Sequence, residues 1–294
     1  MTGPPDRTVS AAAEAAVRAV AREGEPDRYA AALLAPSPLQ ADLLTLAAFA
    51  AEIARVPIQV REPMMGEVRL QWWHDAVDAG AKGAASGHPV ADALGDAIRR
   101  HALDRAPLHS AIEARLFDIG RGLHADEATL AAYFGATEGS IFALGLAVAG
   151  VAATPQSDPI AKAAGRAYGT ARALSRLPVL LDKGGFPLPE NRLTEFGVTA
   201  EAFAERPPTR ETRRAVQAVA AALRTSALRD LGEVRQDWRS LGDKALPVLL
   251  PLALTEPYFA AQHSNRDHML ARITELSPLG RLWRLWRAHR RRTV

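Results

Sequence analysis

Apolar positions along this chain recur at helical spacing almost throughout, and the strict alternation of half-buried strands is missing. Breakers divide the pattern. Helices are predicted over 9–22, 28–34, 37–56, 63–79, 90–103, 107–123, 126–150, 160–181, 210–241, 246–254 and 258–273. Pro57 should stop the third of these, and Pro178 should kink or end the helix over 160–181. Asp27 is placed to cap the second helix and Asp126 the seventh. The Gly- and Pro-rich stretches 80–87, 155–159, 184–189 and 206–208 read as loops. No internal repeat and no real domain boundary emerges.

One helix carries a mixed face. In Glu67-Val68-Arg69-Leu70-Gln71-Trp72-Trp73-His74-Asp75-Ala76-Val77, two of the five tryptophans are adjacent. On a helix Arg69, Trp72, Trp73, Ala76 and Val77 share one broad face, opposite Gln71, His74, Asp75 and Asp78. Two large rings with one arginine among them predict a buried wall, with Arg69 paired to a carboxylate, Glu52 first. The C-terminal segment has a different pattern. Leu279, Leu282, Trp283 and Trp286 form an apolar stripe, with Arg284, Arg287 and further arginines around it. That combination is the signature of an interfacial helix on anionic lipid, the alternative being a last core helix with a solvated basic end.

Composition narrows the class. The 294 residues are 48% hydrophobic, rich in alanine and only 6% aromatic, which favours an all-α protein with a full core. The absence of cysteine excludes disulfides, thiol catalysis and thiolate metal sites, and fits a reducing compartment. A net charge of +3 is too small to argue for nucleic acid, and no aromatic stacking platform accompanies the arginines. The first ten residues hold no apolar signal region. No stretch reads as a membrane span; 141–151 is apolar but too short.

The runs Arg28-Tyr29, Leu33-Leu34-Ala35-Pro36, Ala47-Ala48-Phe49-Ala50-Ala51-Glu52-Ile53, Glu62-Pro63 and Gly66-Glu67-Val68-Arg69-Leu70-Gln71-Trp72-Trp73 resemble the squalene/phytoene synthase family. They look most like a branch of it that includes a mitochondrial complex I assembly factor. The resemblance runs from 28 to 198 and weakens beyond. It implies a single all-helical domain of the isoprenoid synthase type with a central prenyl-binding cavity. Enzymes of that family join two prenyl diphosphates, using Mg²⁺ held by aspartates on two facing helices.

Neither aspartate motif is present. Where the first should follow Ala48-Phe49-Ala50, the chain has Ala54, Arg55 and Ile58, and only Glu52 remains as a carboxylate. Where the second should follow Gly169-Thr170-Ala171, it has Ala173, Arg176 and Leu180. The stretch 160–181 contains no carboxylate and carries Arg166, Arg172 and Arg176. Arginines cannot assemble a cation site. They could hold a phosphate or a lipid head group, so Arg69, Arg172, Arg176 and Glu52 are the candidate ligand-binding residues. Asp75 and Asp78, with His74 alongside, are the weak alternative for relocated metal ligands; solvated helix faces explain them as well.

The expectation is therefore an all-α, squalene/phytoene-synthase-like domain over 9–275, with a disordered 1–8 before it and a basic amphipathic tail over 276–294 after it. Its expected role is non-catalytic and without a cofactor, at the cytoplasmic face of an inner membrane, in assembly of a respiratory complex. Expected partners are an anionic membrane surface, respiratory complex subunits and a prenyl lipid, and no nucleic acid. The alternatives are a Mg²⁺-dependent prenyl-diphosphate transferase with relocated ligands, or a prenyl-lipid binder without chemistry.

Overall fold

The computed structural model describes residues 11–120, 122–183, 186–204 and 208–294. The expected disorder over 1–8 and parts of the loops at 184–189 and 206–208 lie outside them. The described chain is built of helices joined by turns and short loops: α1 Ala11–Gly24, α2 Pro26–Ala32, α3 Ser37–Gln59, α4 Pro63–Ala81, α5 Pro89–His101, α6 Ala106–Gly120, α7 Glu127–Phe134, α8 Ser140–Val148, α9 Ser157–Ser175, α10 Leu177–Asp182, α11 Glu190–Thr194, α12 Arg210–Asp237, α13 Leu246–Leu249, α14 Thr255–Ser264 and α15 Pro278–Arg291. The one exception is a short parallel pair, β1 Leu123–His124 with β2 Phe186–Pro189.

Most predicted boundaries hold to within a few residues, and the exceptions have local causes. Pro57 does not end α3, because a proline in the last turn removes a single hydrogen bond and Val60 N–H still reaches Val56 O at 3.2 Å. The helix over 160–181 does break near Pro178. Arg176 leaves helical geometry and Pro178 opens α10 in its first turn. Asp126 caps α7 in a reciprocal box with Thr129. The helix predicted to 273 ends at Ser264.

Helix α9 is the axis of the core. Its Ala161, Ala163, Ala164, Ala167, Tyr168 and Ala171 are buried, and α8, α12 and α14 pack around it. Between α7 and α8 the chain makes one π-helical turn, Gly135–Gly139. That turn touches α9 backbone to backbone: a Cβ added at Gly165 would meet Gly139 N at 2.3 Å and Phe134 O at 2.9 Å. The wide turn and the close approach together carry Glu138 beside Gly169, whose added Cβ would meet its Cγ at 3.1 Å. The continuous helix Glu127–Val148 is 22 residues long and apolar enough to cross a membrane by length and composition, contrary to the sequence expectation. The sequence pattern marks one helix over 126–150 but only 141–151 as apolar, whereas the apolar stretch begins near Glu127. With 56% of its most apolar window buried inside the domain, it is read as a core helix.

The tryptophan helix presents a different face from the one predicted. In α4 the inward stripe is Gly66, Leu70, Trp73, Val77 and Gly80. Two glycines set it, Gly66 against Ile119 of α6 and Gly80 against Gly95 of α5. Trp73 is 4% exposed and stacks edge-on to Phe49 at 5.6 Å, whereas Trp72 is 40% exposed. Arg69 lies in solvent, and Glu52 pairs with Arg55 three residues along its own helix. Adjacent side chains stand about 100° apart on a helix, so only one of the two rings can take the centre of a narrow interface.

Candidate functional site

Helices α3, α6, α7, α9 and α10 converge on a cavity of about 200 Å³. Ala54, Arg55 and Ile58 line it from α3, facing Ala173, Arg176 and Leu180 from α9 and α10. These six occupy the positions where both aspartate motifs fail, so the substitutions fall on the walls of one chamber. Arg172 also lines it, as expected; Arg69 does not, and Arg55 and Lys183 join Arg176 as its basic groups.

Its charged floor was not foreseen. Glu25, in the junction between α1 and α2, receives Arg28 at 2.9 Å and Arg172. Glu138, on the π turn, receives Arg28 at 2.7 Å and stands 3.8 Å from Arg115. Asp118 receives Arg115 at 3.2 Å and the Tyr133 hydroxyl at 2.8 Å. Arg28 also sits over the rings of Tyr168 and Phe142, at 4.9 and 5.1 Å. Burial pushes the Glu138 carboxyl up, but the charges of Arg28, Arg172 and Arg115 outweigh it and hold it at about 2. Burial likewise works against charge on Arg28 and Arg172, and their carboxylate partners raise both well above the ordinary arginine range. The His124 imidazole is pushed below its usual value by burial, with Asp118 opposing, so it stands neutral against Phe117 at 4.1 Å.

A Mg²⁺ site does not fit these residues. The ion needs several oxygen ligands in octahedral order. Glu25, Glu138 and Asp118 are each already held by arginine, and Glu52 is held by Arg55. Arg166, the third arginine of the carboxylate-free stretch, bonds Asp230 of α12 at 2.9 Å, and so serves packing rather than the cavity.

The remaining candidates lie elsewhere. Asp75 is exposed and accepts from Gln71 at 2.9 Å, while Asp78 faces Arg105 and His109 of the α5–α6 corner; the expected Asp75–Asp78 pair is therefore split. The 276–294 segment is no separate tail. Helix α15 buries Leu285 and Ala288 against the domain, and its Arg281 meets Asp27 at 2.5 Å. Asp27, expected as a helix cap, is instead 1% exposed and also accepts from Tyr258 at 2.9 Å and Tyr168 at 3.1 Å. The outer side of α15 keeps Leu279, Leu282, Trp283 and Trp286 in solvent, with Arg287 and Arg290 resting on the two indoles. Arg284, half-buried, lies close to Gly280 at the helix start.

What could have revealed the floor is the second helix. In Pro26-Asp27-Arg28-Tyr29-Ala30-Ala31-Ala32 two charges sit among residues that otherwise bury, and buried charges demand partners. Which partners could not be read, since Glu138, Arg115 and Arg172 lie on three other helices.

The fold is that of an isoprenoid-synthase-type helical protein, with the cavity enclosed by its helices. The chain belongs to the squalene/phytoene synthase family, whose model matches residues 21–288 and so extends past the sequence resemblance into α15. Among curated proteins it is similar to NADH dehydrogenase (ubiquinone) complex I, assembly factor 6, of Mus musculus, 28% identical over 81% of this chain and 70% of that one. The Homo sapiens protein of the same name is 25% identical over the same shares. Two solved structures share the fold. A squalene synthase from Alicyclobacillus acidocaldarius matches with a TM-score of 0.67 at 19% identity, covering 87% of this chain and 95% of that one. A dehydrosqualene synthase in complex with ligand matches with a TM-score of 0.73 at 14% identity, covering 95% and 97%.

Proposed function

We propose that this protein is a non-catalytic squalene/phytoene-synthase-like protein that assists assembly of respiratory complex I at the cytoplasmic face of an inner membrane. The observation that carries the non-catalytic part is the charge network of the cavity, where each named carboxylate is paired with an arginine and the lining from α3, α9 and α10 includes no carboxylate. The assembly role rests on the similarity to the mammalian assembly factors. The membrane part rests on α15, whose outward indoles and leucines are flanked by arginines. Complex I subunits and an anionic lipid surface are the partners this reading requires.

A second reading has its own support. The cavity is apolar beyond its floor, with Arg55, Arg176 and Lys183 among its lining, which suits a lipid with an anionic head group. At about 200 Å³ it is smaller than the roughly 300–1,000 Å³ of ordinary small-molecule sites, so a prenyl chain would have to open it. Purified protein incubated with Mg²⁺ and farnesyl or geranylgeranyl diphosphate tests the primary reading. No pyrophosphate release is expected, and metal-dependent release above background would overturn it. Saturable binding of the diphosphate without turnover would support the second reading alongside the first.

A further inference from the structure

Outside the cavity, one cluster of side chains has the composition of a metal site and no part in the function proposed above. His74 and Asp78 are four residues apart on α4, hence on one helix face. His109 reaches them from α6, which packs alongside. One ligand atom from each of the three lies within 4.8 Å of the others. None of the three lines the cavity.

We infer that His74, Asp78 and His109 form a binding site for a divalent transition metal of the zinc class, which clamps α4 to α6. Two imidazoles and one carboxylate match the ligand preference of Zn²⁺, Co²⁺ or Ni²⁺, not of Mg²⁺ or Ca²⁺. The spacing agrees. Ligand atoms on a tetrahedral ion with bonds of about 2.0–2.1 Å stand about 3.3 Å apart, and His109 Nε2 lies 3.3 Å from Asp78 Oδ1. That same Nε2 is buried and makes no hydrogen bond among the described residues. A buried ring nitrogen normally has a partner, and this one stands beside the carboxylate with which it would share an ion. The two rings lie 3.8 Å apart between centroids, so both imidazoles belong to one cluster with Asp78. Neutral imidazole is the form that ligates. In the metal-free arrangement Arg105, nearly half exposed, holds Asp78. It is the cation a metal must displace, and its long flexible side chain can leave without disturbing either helix.

The test is titration of the purified full chain with Co²⁺, followed by its ligand-field absorption, and then with Zn²⁺ in competition. One ion per chain is expected, with the spectrum of a four- or five-coordinate ion that Zn²⁺ abolishes. His109→Ala should weaken binding by roughly a hundredfold, since losing a ligand costs at least the 10–100-fold of losing a supporting hydrogen bond. Asp78→Asn, nearly the same shape, should do the same and guards against a folding defect in the alanine variant. Arg105→Ala should strengthen binding several-fold, because it removes the competing cation; a chance surface histidine would not respond to it. His263→Ala, far along the chain on α14, should change nothing. Absence of stoichiometric Co²⁺ binding would overturn the proposal, as would affinity indifferent to His109→Ala and Asp78→Asn.

Discussion

Arginine has opposite duties in two regions of this molecule. Beneath the cavity Arg28 is buried, Arg115 and Arg172 are half-buried, and all three pair with Glu25, Glu138 or Asp118. On the outer face of α15, Arg287 and Arg290 lie over exposed indoles, beside Leu279 and Leu282, which are also exposed. The first region pairs each of these carboxylates with an arginine, so its charges fix helices relative to one another. The second is open on both counts, apolar and charged, and can gain only from another surface. Sequence position alone does not separate the two. Arg281 and Arg287 belong to the same helix, yet Arg281 turns inward to Asp27 and Arg287 turns out.

That division gives an ordered set of expectations. The largest concerns the inward half of α15. Removing residues from Arg281 onward strips Asp27 of a charge partner and uncovers the pocket of Leu285. Breaking a buried pair of this kind costs about 3–5 kcal/mol, so the truncated chain should show a much lower urea midpoint or fail to fold. An unchanged midpoint would mean that α15 is a loosely attached tail after all. Arg281→Ala alone should give most of the loss.

Next comes acid stability. The Glu138 carboxyl is held at about 2 in the folded chain, below its ordinary 4.5. A depressed carboxylate contributes stability that is full above the unfolded value and lost as pH falls from about 4.5 towards 2. The contribution is on the order of 3 kcal/mol. Denaturation midpoints measured from pH 6 down to 3 should fall more steeply in the parent than in Glu138→Gln, which is less stable at pH 6 and nearly flat by comparison. Parallel curves would show that Glu138 is not the charge at issue.

The outward face should behave in reverse. Trp283→Ala with Trp286→Ala is expected to change the unfolding free energy by less than about 1 kcal/mol, since both indoles are half exposed. The same double variant should lose most of its sedimentation with anionic vesicles. Retained binding would locate any membrane contact elsewhere. The smallest effect belongs to Arg69→Ala, exposed on α4, at within about 0.5 kcal/mol in a thermal melt.

Much of this is legible in the sequence. Proline, glycine and capping residues marked the helices, and the six positions lining the cavity at Ala54, Arg55, Ile58, Ala173, Arg176 and Leu180 were readable from the missing aspartates. Local spacing failed where a choice depended on a neighbour. Trp72 and Trp73 are equivalent to any hydrophobic pattern, and only Gly66 and Gly80, pressed on α6 and α5, decide which one turns inward. The charge network was hidden for the same reason. Glu25 and Arg172 are 147 residues apart, and no spacing rule on either helix connects them.

On the function proposed above, the cavity carries no prenyl-diphosphate chemistry because arginines occupy its carboxylates. Turnover of farnesyl or geranylgeranyl diphosphate by the purified protein, with Mg²⁺ present and with Mg²⁺ chelated, tests it most directly. The account predicts no condensation product and no pyrophosphate above background in either condition. Mg²⁺-dependent product that disappears in Glu138→Gln or Glu25→Gln would show that those carboxylates are free to work, and would contradict it.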